Sequence, residues 1–202
     1  MRSAANVAWV AGPLVTLAYL AGAALGTSVK RNSREPIVDA GSEALLALGV
    51  VFVGWEVSHR VAPGFEASRV AFESVQVLLA WESVGLWCGA AMVLGVVSPV
   101  FNGFRGTSGL AAAMAIAVVH APGLAFAGLG GFVAGLGVFR GRSRDAVALG
   151  LATVPTYAWI AWAADIHQPW GVNQGPELAL WSAAVTSILL TAWWRPPEPA
   201  GQ

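Results

Sequence analysis

The sequence predicts an all-α fold: a polytopic membrane helix bundle of about seven transmembrane helices. Three observations predict it. Of 202 residues, 56% are hydrophobic and only 11% are charged, where a soluble domain carries about 25% charged residues. The mean hydropathy is +0.65. The apolar residues also fall in runs long enough to cross a bilayer, whose roughly 30 Å hydrocarbon core needs about 20 residues of helix.

The runs follow in order. Residues 7–25 carry no charge. Arg2 ahead of them and the small residues Ala21-Gly22-Ala23 within them resemble a signal peptide. The run is longer than a usual signal core and further spans follow it, so it reads as a retained helix. Residues 44–57 form a second run broken only by Glu56, and residues 75–97 a third whose only charge is Glu82. Residues 109–139 are too long for one upright span, and His120-Ala121-Pro122 lies near their middle. Proline removes an amide donor and clashes with the preceding turn, so this run is expected to split into two helices at Pro122. Residues 146–164 and 178–194 complete the set. The chain reads as a single integral membrane domain over residues 1–202.

Loop charges give an orientation. With seven spans, one side receives Lys30, Arg31, Arg34, Arg105, Arg140, Arg142, Arg144 and Arg195, and the other only Arg2, Arg60 and Arg69. The positive-inside bias then places the N-terminus outside and the C-terminus in the cytoplasm. Trp162 and Trp170 near one side, and Trp193 and Trp194 near the other, suit interfacial anchoring.

Composition also excludes function classes. Eleven basic and eleven acidic residues cancel, so the chain lacks the cationic excess a nucleic-acid binder needs. The lone cysteine, Cys88, allows no internal disulfide. Three scattered histidines and one cysteine show no metal-ligand spacing, so no metal or cofactor is expected. Glu56 and His59, three apart on one helix face, are expected to pair. His120 is expected to satisfy backbone groups freed at the proline break. Glu56 and Glu82 inside apolar runs are expected to face the bundle interior.

The segment with the clearest chemistry is Gly95-Val96-Val97-Ser98-Pro99-Val100-Phe101-Asn102-Gly103-Phe104-Arg105-Gly106-Thr107-Ser108-Gly109-Leu110-Ala111. Its glycines permit close ligand approach. Thr107 or Ser108 is placed to cap the helix that follows. Free amides at a helix start attract anions, and Arg105 adds a charge suited to phosphate. The plainer alternative is a capped tight turn beside an interfacial arginine.

This segment resembles a signature of the bacterial acyl-phosphate-dependent glycerol-3-phosphate acyltransferases, Gly-His-x-x-Pro-x-x-x-x-Phe-(Lys/Arg)-Gly-Gly-Lys-Gly-Val-Ala. Gly95, Pro99, Phe104, Arg105, Gly106, Gly109 and Ala111 match it, while Val96, Thr107 and Ser108 replace a His, a Gly and the Lys. Upstream, Glu56, His59 and Pro63 stand where the family tends to place an Asp, a Lys and a Pro. The family's first loop motif, Ser-Gly-Asn-x-Gly-Ala-x-Asn, has no match in place across residues 32–39, and its third-motif serines are missing from residues 147–151.

The resemblance implies transfer of a fatty acyl group from acyl phosphate to glycerol 3-phosphate, giving lysophosphatidate for phospholipid biosynthesis, in a multi-pass protein of a bacterial cell membrane. The implied partners are these two substrates and membrane lipids. The binding residues would be Arg105, Gly106, Thr107, Ser108 and Gly109, with Lys30, Arg31 and Arg34 holding a second phosphate. No Ser-His or Cys-His pair is evident, so direct transfer by positioning and charge is expected. With the Lys and His replaced, weak or absent turnover is expected. The alternative reading is a lapsed relative that binds lipid or phosphate ligands or regulates a membrane partner.

Overall fold

A computed structural model describes residues 2–32, 35–61, 80–166, 170 and 175–195; within these, residues 2–10, 30–32, 61 and 80–82 are described by their backbone alone. Among the described residues there are seven α-helices and one 3-10 turn. In order they are α1 (Arg2–Asn32), α2 (Pro36–Val61), α3 (Ala80–Val97), the 3-10 turn Val100–Asn102, α4 (Leu110–His120), α5 (Pro122–Val138), α6 (Ser143–Ala163) and α7 (Pro176–Trp193). Each apolar run expected from the sequence contains a helix, the third run being described only from Ala80 onward, and the longest run breaks at Pro122. Arg34 and Pro63 lie outside the described residues, as do the side chains of Lys30, Arg31 and Glu82.

Four helical segments are long and apolar enough to cross a membrane: Ala11–Val29, Pro36–Arg60, Ser83–Asn102 and Ser143–Ala163. This is a membrane protein by that criterion. Helix α4, with 11 residues, rises only about 16 Å, half of the hydrocarbon thickness.

Helix α3 is the centre of the bundle. Its residues Leu86, Met92, Val93, Val96 and Val97 are fully buried, and α1, α2 and α7 pack around it. Small residues allow the approach of α1. A β-carbon on Gly22 would lie 2.2 Å from the Met92 carbonyl oxygen, and one on Gly95 2.2 Å from that of Tyr19. Lipid-embedded helices gain their contact this way, because burial against lipid-like neighbours gives little driving force. On the far side of α3, Trp181 of α7 is 1% exposed and donates its indole N–H to the Leu86 carbonyl at 2.8 Å.

Proline breaks leave carbonyls that neighbouring helices collect. Pro122 cannot donate to the Val118 carbonyl; Trp170 Nε1 does so at 3.0 Å. Pro155, inside α6, cannot donate to the Leu151 carbonyl; Thr186 Oγ1 of α7 does so at 3.3 Å. This corrects the expectation for His120, whose Nδ1 bonds the Ile116 carbonyl at 3.0 Å instead. His120 stacks against Trp55 with ring centroids 4.5 Å apart. Glu56, expected to face the bundle interior, instead forms an exposed ion pair with Arg60 one turn on. A longer, flexible guanidinium at i+4 reaches the carboxylate at the helix end without desolvation.

After Pro122 the chain reverses. Leu110 and Met114 of α4 share an apolar groove with Gly128, Leu129 and Phe132 of α5. Residues 98–109 lie at one end of the bundle, with Val100, Phe101 and Phe104 exposed. That end also carries Arg105, Arg140, Arg142, Arg144 and Arg195 among the described residues.

Candidate functional site

The segment between α3 and α4 is fixed by its backbone first. Gly106 N–H donates to the Val97 carbonyl and Thr107 N–H to the Val96 carbonyl, each at 3.1 Å. The loop therefore folds back over the last turn of α3, where helix carbonyls have no partners of their own. The approach is so close that a β-carbon on Gly106 would lie 1.7 Å from the Val96 carbonyl oxygen. Gly103, Phe104 and Gly109 all adopt left-handed backbone angles, with φ of 57°, 62° and 64°. Phe104 is the residue without a glycine's freedom there, so something must hold it.

That something is Arg195, just beyond α7. Its Nη1 donates to the Val97 carbonyl at 2.9 Å and to the Phe104 carbonyl at 2.7 Å, and its Nη2 to Ser98 Oγ at 2.6 Å. From the other side Tyr19 of α1 donates its hydroxyl to the Ser98 carbonyl at 3.0 Å. Inside the loop, Asn102 Nδ2 donates to the Arg105 carbonyl at 2.6 Å.

The stitched loop forms one wall of a cleft of about 400 Å³, lined by Gly106, Thr107 and Ser108, by Ala111 of α4, by Pro36, Asp39, Ala40 and Glu43 of α2, and by Val29 of α1. Glu43 is 4% exposed. It accepts a hydrogen bond from Thr107 Oγ1 at 2.5 Å. The spacing on α2 explains its position: Glu43 shares a helical stripe with the buried Ala47, Val51 and Ser58.

The expected site residues divide. Gly106, Thr107 and Ser108 line the cleft together. Gly109 is buried behind them against Val97 and Leu189. Arg105 is exposed on the loop and lies off the cleft lining. Lys30 and Arg31 belong to the last turns of α1, with side chains outside the described set, and Arg34 is outside it altogether. The capping expectation is corrected. Gly109 occupies the cap position of α4 with no side-chain cap. Thr107 is turned to Glu43, and Ser108 Oγ accepts from Leu110 N–H at only 3.4 Å.

Glu43 and Arg195 were missed in the sequence. The stripe 43/47/51/58 was the available signal for Glu43. No local signal marks Arg195, whose partners lie more than 90 residues away. Among the described residues, no group of three or more His, Cys, Asp or Glu is arranged to hold a metal. Cys88 is 1% exposed in α3, away from the cleft lining.

The sequence model of one protein family, described as Glycerol-3-phosphate acyltransferase, matches residues 37–197. No curated protein and no solved structure gives a significant match.

Proposed function

This chain belongs to the glycerol-3-phosphate acyltransferase family, and from that premise we propose that it transfers a fatty acyl group from an acyl phosphate to the 1-hydroxyl of glycerol 3-phosphate. The product is lysophosphatidate, made at the cytoplasmic face of a bacterial plasma membrane. The observation that carries this reading is the cleft of about 400 Å³ walled by Gly106, Thr107 and Ser108, residues of the segment that most resembles the family signature.

The surroundings suit two amphiphilic reactants. Irregular backbone in a membrane protein is tolerated where it lines a water-filled cavity, and residues 106–108 line an open cleft. Leu110 and Met114 of α4, together with Phe132 and Val154, line an apolar groove of about 210 Å³. It would take the acyl chain, with Ser108 and the first amides of α4 between groove and cleft. Those amides, and Arg105 above them, would bind the acyl phosphate headgroup. With Cys88 buried, no covalent enzyme intermediate is invoked; the loop acts by holding acceptor and donor in line.

Seven crossings with the C-terminus inside complete the proposal. The arginines at the loop end support it. Growth complementation in a bacterial strain lacking its own glycerol-phosphate acyltransferase tests the function. Restored growth is expected, and it would show that the turn works without the Lys and His that Ser108 and Val96 replace. No growth from a well-expressed, membrane-inserted chain would contradict it.

A further inference from the structure

Among the described residues, Nε2 of His120 on α4 and Oγ of Ser58 on α2 are buried and have no hydrogen-bond partner. His120 is 2% exposed and Ser58 5%. Bare polar atoms are costly in a membrane interior, where bulk solvent does not reach them.

The two atoms belong to one place. Helices α2 and α4 run side by side in the same direction. Glu43 of α2 meets Thr107 just ahead of α4. About three turns further on, Trp55 meets His120 at the far end of α4, with ring centroids 4.5 Å apart. Ser58 is three residues beyond Trp55, on the same face of α2. Its side chain leans back toward the start of its helix, as helical side chains do, and so toward the level of the His120 ring. Gly85 of α3 leaves room for the Trp55 indole to lie against it, which holds that indole beside the histidine.

The chemistry of the pair decides what it can hold. The Ile116 carbonyl, 3.0 Å from Nδ1 of His120, can only accept. The ring proton therefore sits on Nδ1, and Nε2 presents a lone pair that needs a donor. Thr27, Thr156 and Ser187 turn their hydroxyls back to the carbonyl four residues earlier. Ser58 does not, so its hydroxyl keeps both a proton and lone pairs to offer. A halide or a carboxylate brings no proton to Nε2. A metal ion would meet one imidazole and one neutral hydroxyl, and no group of three or more His, Cys, Asp or Glu gathers among the described residues; that is too few ligands and too little countercharge inside a membrane.

We propose that α2 and α4 hold one internal water molecule between these two atoms. It donates one hydrogen bond to Nε2 of His120 and shares a second with Oγ of Ser58. Two bonds of about 2.8 Å let a single water bridge atoms up to about 5.5 Å apart. Ordered water is a usual companion of a proline break inside a membrane helix, and this site adjoins Pro122. The water ties the far ends of α2 and α4, as the Glu43–Thr107 bond ties their near ends. The site stands apart from the cleft and does not depend on the acyltransferase reading.

Hydroxyl-radical footprinting of the purified full chain in detergent, by X-ray pulse and peptide mass spectrometry, reads such a water directly, because radicals formed from it oxidise the side chain beside it. Met92 is the dry control: it is 0% exposed in α3, and its thioether oxidises readily. Oxidation of His120 well above that of Met92 is expected, with a several-fold fall at His120 in Ser58→Ala. His120 oxidised no more than Met92 would overturn the water. Unchanged oxidation of His120 in Ser58→Ala would overturn its sharing between the two helices. Melting temperatures give a second reading. Ser58→Ala and His120→Phe are each expected to lower the melting temperature, and the double variant to fall no further than the worse single one. Losses that simply add would overturn the bridge.

Discussion

The bundle interrupts its helices at both ends, and the two interruptions are built on opposite principles. At the Pro122 break a single residue joins α4 to α5. Ala121, Pro122 and Leu124 are fully buried, Trp55 packs against His120, and the carbonyl the proline abandons is collected by Trp170. At the other end twelve residues, 98–109, separate α3 from α4. There the backbone is stitched from three helices, yet its outer face is left open as a cleft. The first break spends its polar contacts on closing a helix pair. The second spends them on holding an open shape. The comparison teaches that a break becomes a site when its hydrogen bonds are satisfied from behind, leaving the front free for a ligand.

Substitutions at the two ends should therefore differ in kind. The largest effect is expected from Gly106→Ala. The added methyl collides with the Val96 carbonyl, 1.7 Å away, and neither backbone can yield without undoing the turn. We expect acyl transfer to fall below detection while the helical circular dichroism signal is kept; wild-type activity in this variant would show that the loop is not held as described.

Arg195→Ala comes next. It removes three charge-assisted donors from the loop, two part-buried and one exposed, each worth at most about 1.5–3 kcal/mol and not simply additive. A lower melting temperature in detergent and a raised KM for glycerol 3-phosphate are expected together, with partial recovery in Arg195→Lys. A change in melting temperature alone would make Arg195 a structural clamp and nothing more.

At the closed features the expectation is stability without kinetics. Thr186→Val leaves the Leu151 carbonyl beside Pro155 without its donor, and Trp170→Phe does the same at Val118. A loss of about 1–2 kcal/mol is expected at the buried Thr186 and a smaller one at the exposed Trp170, read by thermal or denaturant unfolding, with KM unaltered. A shift in KM would erase the distinction between the two ends.

The smallest effect is expected from Arg144→Ala. Arg144 Nη2 donates to the Trp193 carbonyl at 3.3 Å, at an exposed position. Roughly 0.5 kcal/mol or less is expected there, measured by the same unfolding experiment.

The helices were legible because apolar runs and prolines are local signals: the break at Pro122 follows from one residue's missing N–H. The loop was legible because its glycines are dictated by backbone approach, and Gly106 shows how strictly. What stayed hidden depends on which distant atoms meet. Thr107 reads as a helix cap by sequence, yet Glu43 of α2 competes for its hydroxyl and wins. Arg195 reads as one more charge at the membrane edge, yet α7 carries it onto the end of α3. His120 reads as the partner of the proline break, yet Trp170 takes the carbonyl. Sequence places polar groups on helices, and packing decides their partners.

The central claim is that the loop between α3 and α4 makes an acyl transfer site. The most direct measurement is formation of lysophosphatidate by the purified chain from palmitoyl phosphate and glycerol 3-phosphate, compared with Gly106→Ala. Product from the wild type, with release of one inorganic phosphate for each, and its loss in the variant is the predicted result. No product from a folded wild-type chain, or equal product from both, would contradict the account.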